Sequence, residues 1–422
     1  MSASFFVDFG LLRRNAHFRA VFVARMMSVL SLGILTVAVP VQIHELTGSV
    51  LQVSVAIALD GAGMFAGLLV GGVLADRFDR RGLILMARGL CGLGFLALAA
   101  NGFLASPSIA ALYLVSIWDG FFGALGMTAL MASTPALVGR DNLPAAGALT
   151  MIIVRFGAVM APLIGGLVIA SAGVTWNYLI AGIGTLGTLV PLIRLPRLQP
   201  ESAEPQHPLR AMFGGLSYLL ENRIVGAVVA VGTLQAMFSA IRVLFPSLAE
   251  EAGVGGLQTG LLYSAVPLGA MIGAFTSGWV GGFARPGLLA IGTVCCCAAL
   301  VAALGVAGHI AVMLLILVLF GYTGSIAGLL QFILVQSNTP DHMLGRISSI
   351  WSAQDVVGDS GGALAMGALG RVFTPLVGAI CFGLGGLAAG LLMLAGFGRL
   401  RVLTNAPPPS MEPTFAEQQP TA

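Results

Sequence analysis

Seven ionisable residues interrupt stretches that are otherwise almost wholly apolar: Arg25, Asp60, Asp119, Arg155, Arg242, Asp355 and Asp359. A charge in hydrocarbon is costly, so such residues mark a transport path or a pairing that neutralises them. Asp355 and Asp359 are four residues apart and share one helix face, where two crowded carboxyls could hold a proton or pair with arginines. Asp119 and Arg155 lie nearest the centres of successive apolar stretches and are expected to neutralise one another, for structure alone or within a site. Asp60, Asp119, Asp355 and Asp359 are thus the candidates for proton coupling. Aromatic residues accompany these charges: WDGFF sets Trp118, Phe121 and Phe122 around Asp119, FSAIR sets Phe238 four before Arg242, and Trp351 stands four before Asp355. Lipid-facing aromatics are the default in a membrane helix. Grouped with Arg25, Arg155 and Arg242, they would suit a cavity for a flat, aromatic, polar solute held by stacking and cation–π attraction.

The chain that must position these residues is 57% hydrophobic and 9% charged, with 58 glycines, whereas a typical soluble domain carries about 25% charge. Apolar runs fall at 18–44, 51–75, 83–104, 107–132, 143–170, 173–193, 223–249, 257–282, 287–306, 309–335, 344–370 and 375–398. A helix of about 20 residues crosses the hydrocarbon core, so an all-α membrane protein of twelve transmembrane helices is expected. Residues 1–17 lack a short apolar segment ending in a small-residue cleavage site, so the first span is expected to be retained.

All twenty basic residues are arginine, and lysine is absent. With the N-terminus on the cytoplasmic side, fourteen arginines fall in cytoplasmic segments and only Arg371 outside, as the rule of positive inner loops requires. Both termini are therefore expected in the cytoplasm, and the net charge of +3 reports topology rather than affinity for nucleic acid. The five cysteines all lie within spans and show neither metal-ligand spacing nor a disulfide framework. No histidine is near a span centre, which argues against a metal transporter or a histidine proton relay.

The halves repeat. A shift of 206 positions superposes Pro40 on Pro246, Glu45 on Glu251, Gly63 on Gly269, Gly67 on Gly273 and Gly72 on Gly278, and later Gly139 and Arg140 on Gly345 and Arg346. Two homologous six-helix bundles follow, 1–193 and 223–398, joined by a cytoplasmic linker at 194–222 and followed by a disordered tail at 399–422.

The turn after the second span, GGVLADRFDRRG at 71–82, resembles the signature Gly-x-Leu-Ala-Asp-Arg-x-Gly-Arg-Arg of the major facilitator superfamily, with Asp79 in place of the second glycine. RFGAVMAPLIGG at 155–166 resembles the superfamily's exporter motif through Gly157, Pro162, Gly165 and Gly166, with Ala161 where the family has glycine. Segments such as FRAVFVAR at 18–25, TPALVGRDNL at 134–143 and MLGRISSIWSAQDVVGD at 343–359 resemble more narrowly its siderophore-exporting branch.

That resemblance implies the major facilitator fold, with two pseudo-symmetric bundles and a substrate site near the midplane between them. It implies a multi-pass protein of the bacterial cytoplasmic membrane, acting as a monomer, that exports a catecholate siderophore by proton-driven alternating access, with an outer-membrane partner beyond it. It further implies a gate in which Asp76 meets the positive N-terminal end of the eleventh span near Gly345 and Arg346, with Gly72, Arg77, Arg80 and Arg81 shaping the turn and meeting lipid headgroups. Neither an enzyme nor a cofactor is expected, and without lysine the chain has no nucleotide-binding GxxxxGK[ST] loop. One departure stands out: the fourth span lacks the arginine that proton-coupled drug exporters of the superfamily carry there. Broad drug or metabolite efflux is the competing reading.

Overall fold

The computed structural model describes residues 10–199 and 208–404. Among these residues every regular element is helical, and the expected spans appear in order. Spans one to five are Ala16–Thr47, Val50–Arg77, Arg80–Gly102, Ile109–Val138 and Leu143–Ala172. Span six is broken at Thr188 into Val174–Gly187 and Leu189–Leu192. Span seven runs Arg223–Phe238, tightens to a 3-10 turn over Ser239–Leu244, and resumes as Phe245–Glu251. Span eight is Gly256–Thr276 continued by Ser277–Gly282. Spans nine to twelve are Pro286–Leu304, Ile310–Asn338, Asp341–Val372 and Pro375–Gly396.

Ten of these are long and apolar enough to cross a membrane on length and composition alone, the exceptions being spans six and eleven. Span six falls short because its helix is interrupted. Span eleven is too polar because SSIWSAQDVVGDS lies within it, a composition suited to a cavity wall rather than a lipid face.

The repeat is visible in packing. In the N-terminal half Gly63 and Gly67 of span two lie against the backbone of Ile117 and Phe121 in span four, and in the C-terminal half Gly269 and Gly273 of span eight lie against Val318 and Tyr322 in span ten. Returning the contact, Gly120 meets the backbone of Asp60 while Gly321 meets that of Val266. A side chain at any of these glycines would drive the helices apart, so the same small-residue seam builds both bundles.

The halves join along spans two and eleven and along spans five and eight. Toward the end that carries the short turns at Gly48 and Gly253, here the hairpin end, the seam is tight: Gly166 meets Gly256 and Gly260, while Gly367 and Gly370 meet Ser54 and Val50. The imidazole Nε2 of His44 lies 2.7 Å from the Glu250 carboxylate across this seam. At the opposite end, which carries the 71–82 turn and is here the loop end, a β-carbon at Gly72, Gly278 or Gly345 would meet no other part of the described chain within 4 Å.

The linker is not wholly extended. Pro208–Glu221 forms a helix that packs on spans seven and eleven, with Gly215 against Ile350 and Leu219 8% exposed. The tail expected at 399–422 begins as the helix Gly398–Val402, whose Leu400 is buried beside Gly287; residues 405–422 lie outside the described residues.

Candidate functional site

A cavity of about 960 Å³ runs from mid-bundle toward the loop end. Spans seven, eight, ten and eleven supply most of its wall, while the N-terminal half contributes Asp60, Gly61, Met64, Met151 and Arg155. Arg242 sits where span seven tightens into its 3-10 turn, so its side chain leaves a discontinuous helix near the middle of the bundle. Both its terminal nitrogens donate to the Asp359 carboxylate at 2.6 Å, a two-pronged ion pair between spans seven and eleven. Its backbone carbonyl accepts from the Tyr263 hydroxyl at 3.1 Å, which ties span eight to the same point. Asp355, one turn from Asp359, also faces the cavity and has no hydrogen-bond partner among the described residues. Trp351 lines the wall with Phe332, ring centres 6.0 Å apart.

A second, smaller cavity of about 170 Å³ lies within the N-terminal half, walled by spans one to four and closed by Arg242. Asp60 and Asp119 are its two carboxylates, and Asp60 and Arg242 border both cavities. Asp119 Oδ1 is buried without a hydrogen-bond partner. Its charged neighbour is Arg88 of span three, 8% exposed and with one terminal nitrogen unpartnered. Asp60 feels Asp119 within its own half and Arg242 and Asp359 across the seam, so these acids and arginines form one electrostatic chain through the middle of the protein.

Several expectations from the sequence take a different form. Asp119 and Arg155 do not pair, because spans four and five pack chiefly on other helices and Arg155 faces the large cavity alone. Arg88, near the loop end of span three where a long side chain could be expected to reach the membrane surface, is instead buried in the bundle. Trp118 donates its ring N–H to Leu90 O at 2.8 Å and meets Phe122 at a tilt of 57°, with ring centres 4.7 Å apart, so it lies on the flank of spans three and four. Phe121 meets Phe122 edge-on there, and none of the three lines the large cavity. Phe238 is 1% exposed against Phe382 in the core of the C-terminal half. Arg25 is half-buried on span one, within electrostatic reach of Arg88 and outside the large cavity.

At the loop end Asp79 explains its own departure from the family pattern. Its carboxylate caps span three by accepting from the N–H groups of Arg81 and Gly82, and accepts from Leu198 N at 2.7 Å, which pins the start of the linker. Arg80 donates to the carbonyls of Ala75 and Ala132, and Arg81 to that of Ile193. Asp76 and Arg77 are exposed without hydrogen-bond partners, and Arg346 lies beside Gly214 of the linker helix. In span five, Gly157, Ala161 and Gly165 fit span one at Val29, Gly33 and Ile34, while Pro162 and Gly166 face span eight. Beside the proline the Ser264 hydroxyl donates to Val159 O at 2.8 Å, a hydrogen bond between the halves.

Three glutamines that a search for charge passes over also belong to this region: Gln331 and Gln354 meet at Gly232, and Gln235 lies one turn along from that glycine on span seven. Their signal is simply their presence inside apolar runs.

Two bundles with one internal repeat, a cavity at their seam and an ion pair in its wall are the architecture of a transporter, and residues 21–366 match the Major Facilitator Superfamily. The chain belongs to that superfamily and is a multi-pass membrane transporter, not an enzyme. It is 47% identical over 409 residues to the enterobactin exporter EntS of Citrobacter koseri, covering 96% of this chain and 97% of that one. It is likewise 47% identical over 405 residues to the enterobactin exporter EntS of an Escherichia coli O81 strain, with the same coverage. Among solved structures, a point mutant of the nucleoside transporter NupG superposes with a TM-score of 0.74 at 10% identity, over 92% of this chain and all of that one. A sulfate complex of a point mutant of the peptide transporter POT gives 0.73 at 16% identity, over 93% and 96%; these likenesses concern the fold.

Proposed function

We propose that the protein exports an enterobactin-like catecholate siderophore from cytoplasm to periplasm by alternating access, driven by protons. The observation that carries this reading is the cavity of about 960 Å³, lined by Arg155, Arg242, Phe332 and Trp351, in a chain 47% identical to enterobactin exporters along nearly its whole length. An iron-free tri-catechol is large, aromatic and rich in hydroxyls, which matches a wall that sets Phe320, Phe332 and Trp351 among arginines, carboxylates and amides.

The cavity extends toward the loop end, the end that the arginine bias assigns to the cytoplasm, so this arrangement is the one that loads substrate. Export then requires the loop end to close and the hairpin end to part, breaking the seam at Gly166 and the His44–Glu250 contact. Closing would carry Asp76, now without a partner, toward the N-terminal end of span eleven, where the helix dipole favours a carboxylate. Asp60 and Asp119, in the closed chamber beside the Arg242–Asp359 pair, are the groups through which proton uptake would change the pairing across the seam.

Uptake of iron-free catecholate siderophore into inverted membrane vesicles, with and without a proton gradient, tests the proposal. Accumulation with the gradient is expected, and no transport in either condition would refute it. Asp355 favours one other reading, since an unpaired carboxylate beside Trp351 would also suit a lipophilic cation. Efflux of such cations, lost in Asp355→Asn while siderophore uptake persists, would identify broad efflux.

A further inference from the structure

We infer that Gln235, Gln331 and Gln354 form a subsite of the C-terminal half for the uncharged, vicinal hydroxyl pair of a catechol, and that it admits the iron-free siderophore while rejecting the metal complex. This rests on the export reading above and adds the group recognised and the form of substrate selected.

Gln331 and Gln354, from spans ten and eleven, meet where Gly232 of span seven leaves room, and Gln235 stands one turn further along span seven. A β-carbon at Gly232 would fall on Gln354 Nε2 and within 2.6 Å of Gln331 Oε1. Gly324 performs the same service for Gln235, whose Nε2 lies 3.4 Å from where a β-carbon would stand. Gly232, Gln235 and Gln331 line the large cavity, and Gln354 backs them.

Their hydrogen-bonding capacity is unspent. Gln331 and Gln354 are 6% and 7% exposed. Gln354 Nε2 and Gln235 Oε1 are buried without partners, and Gln331 makes no hydrogen bond among the described residues. Gln235 Nε2 reaches only the Cys297 sulfur, at 3.5 Å. Buried amides in a membrane protein are ordinarily paired. Three together, around a glycine and against a cavity, are the pattern of a site whose partner is a ligand.

A carboxamide presents a planar acceptor and donor side by side. A catechol presents the complement: one hydroxyl donates to Oε1 while its neighbour accepts from the N–H, closing a ring of two hydrogen bonds. Once a metal is bound, both oxygens have lost their protons and their lone pairs are committed. The complex also carries negative charge that a neutral amide cannot neutralise. The subsite would leave its acceptors unpaired against such a ligand, and sites built to bond a hydroxyl discriminate strongly against ligands that lack one.

The test uses the full chain purified in detergent, with tryptophan fluorescence reporting the binding of N-propyl-2,3-dihydroxybenzamide, its 2,3-dimethoxy analogue and a gallium tris-catecholate. The dihydroxy probe should bind at least about tenfold more tightly than the other two, which is about 1.4 kcal/mol. Gln331→Leu should erase that preference. Gly232→Ala should do the same while retaining every amide, and it answers the question if Gln331→Leu does not fold. Equal binding of the three probes by the parent chain, or a preference that survives Gly232→Ala, overturns the subsite. A hydroxyl preference without siderophore uptake in vesicles would instead overturn the export reading and leave the subsite standing.

Discussion

Where the N-terminal half sets Asp60 against the backbone of Gly120, the C-terminal half sets Val266 against Gly321. The reverse holds elsewhere: the shift of 206 positions that aligns the halves carries Arg242 and Asp359 onto Thr36 and Ile153. One helical scaffold therefore bears two different sets of charges. The N-terminal half keeps two carboxylates, Asp60 and Asp119, around a small chamber, and the C-terminal half opens a wide cavity walled by an ion pair, aromatics and amides. Duplication supplied the geometry, and divergence at a handful of inward positions gave each half its own set; on the proposed mechanism protons fall to one side and solute to the other.

The largest expected effect comes from breaking the C-terminal set. Asp359→Ala leaves Arg242 half-buried without its partner, a loss of about 1.5–3 kcal/mol for a hydrogen bond to a charged group, and should abolish siderophore uptake and lower the melting temperature. Replacing both, as Arg242→Met with Asp359→Leu, should restore stability without restoring uptake. Recovery of transport in the double variant would show that the pair is scaffolding alone.

Next comes the division itself. Asp60→Asn or Asp119→Asn should remove the dependence of uptake on a proton gradient while leaving binding of a catechol probe within about threefold of the parent, a margin under 1 kcal/mol. If binding falls as steeply as it does in Asp359→Ala, the two halves do not divide the labour in this way.

A smaller effect is expected at the hairpin end. Glu250 is 74% exposed at its ion pair, and exposed pairs contribute about 0.2–1 kcal/mol. His44→Ala should therefore raise the labelling rate of a cysteine placed at Val254, in a background without the five native cysteines, by no more than about fivefold. The smallest change in transport belongs to the loop end. Asp79→Ala loses a helix cap worth about 0.5–2 kcal/mol and the tether to Leu198, so a thermal melt should shift downward with uptake nearly unchanged.

The fold is legible because a membrane span must be long, apolar and self-bonded, which leaves its mark on the sequence whatever its neighbours do. Contacts between spans leave no such mark. Lying in successive spans makes Asp119 and Arg155 look like partners, yet the charged neighbour of Asp119 is Arg88, from the span before. Trp118, adjacent to Asp119 in sequence, points to a different side of the helix because neighbouring residues are turned about 100° from one another. The Arg242–Asp359 pair is legible as two costly charges but not as a bond, since 117 residues separate them. The glutamines leave the faintest trace, because an amide is far cheaper than a charge to place in a membrane.

The contact between His44 and Glu250 joins a position to its own counterpart, since the two are 206 residues apart. In any assembly of two identical subunits about a twofold axis, a residue touching its counterpart touches a copy of itself: histidine would face histidine, or glutamate would face glutamate. Unlike partners on that axis are available only to a chain whose halves have been fused and freed to differ. The seam at the hairpin end of this protein thus carries a contact that no symmetric ancestor could have made.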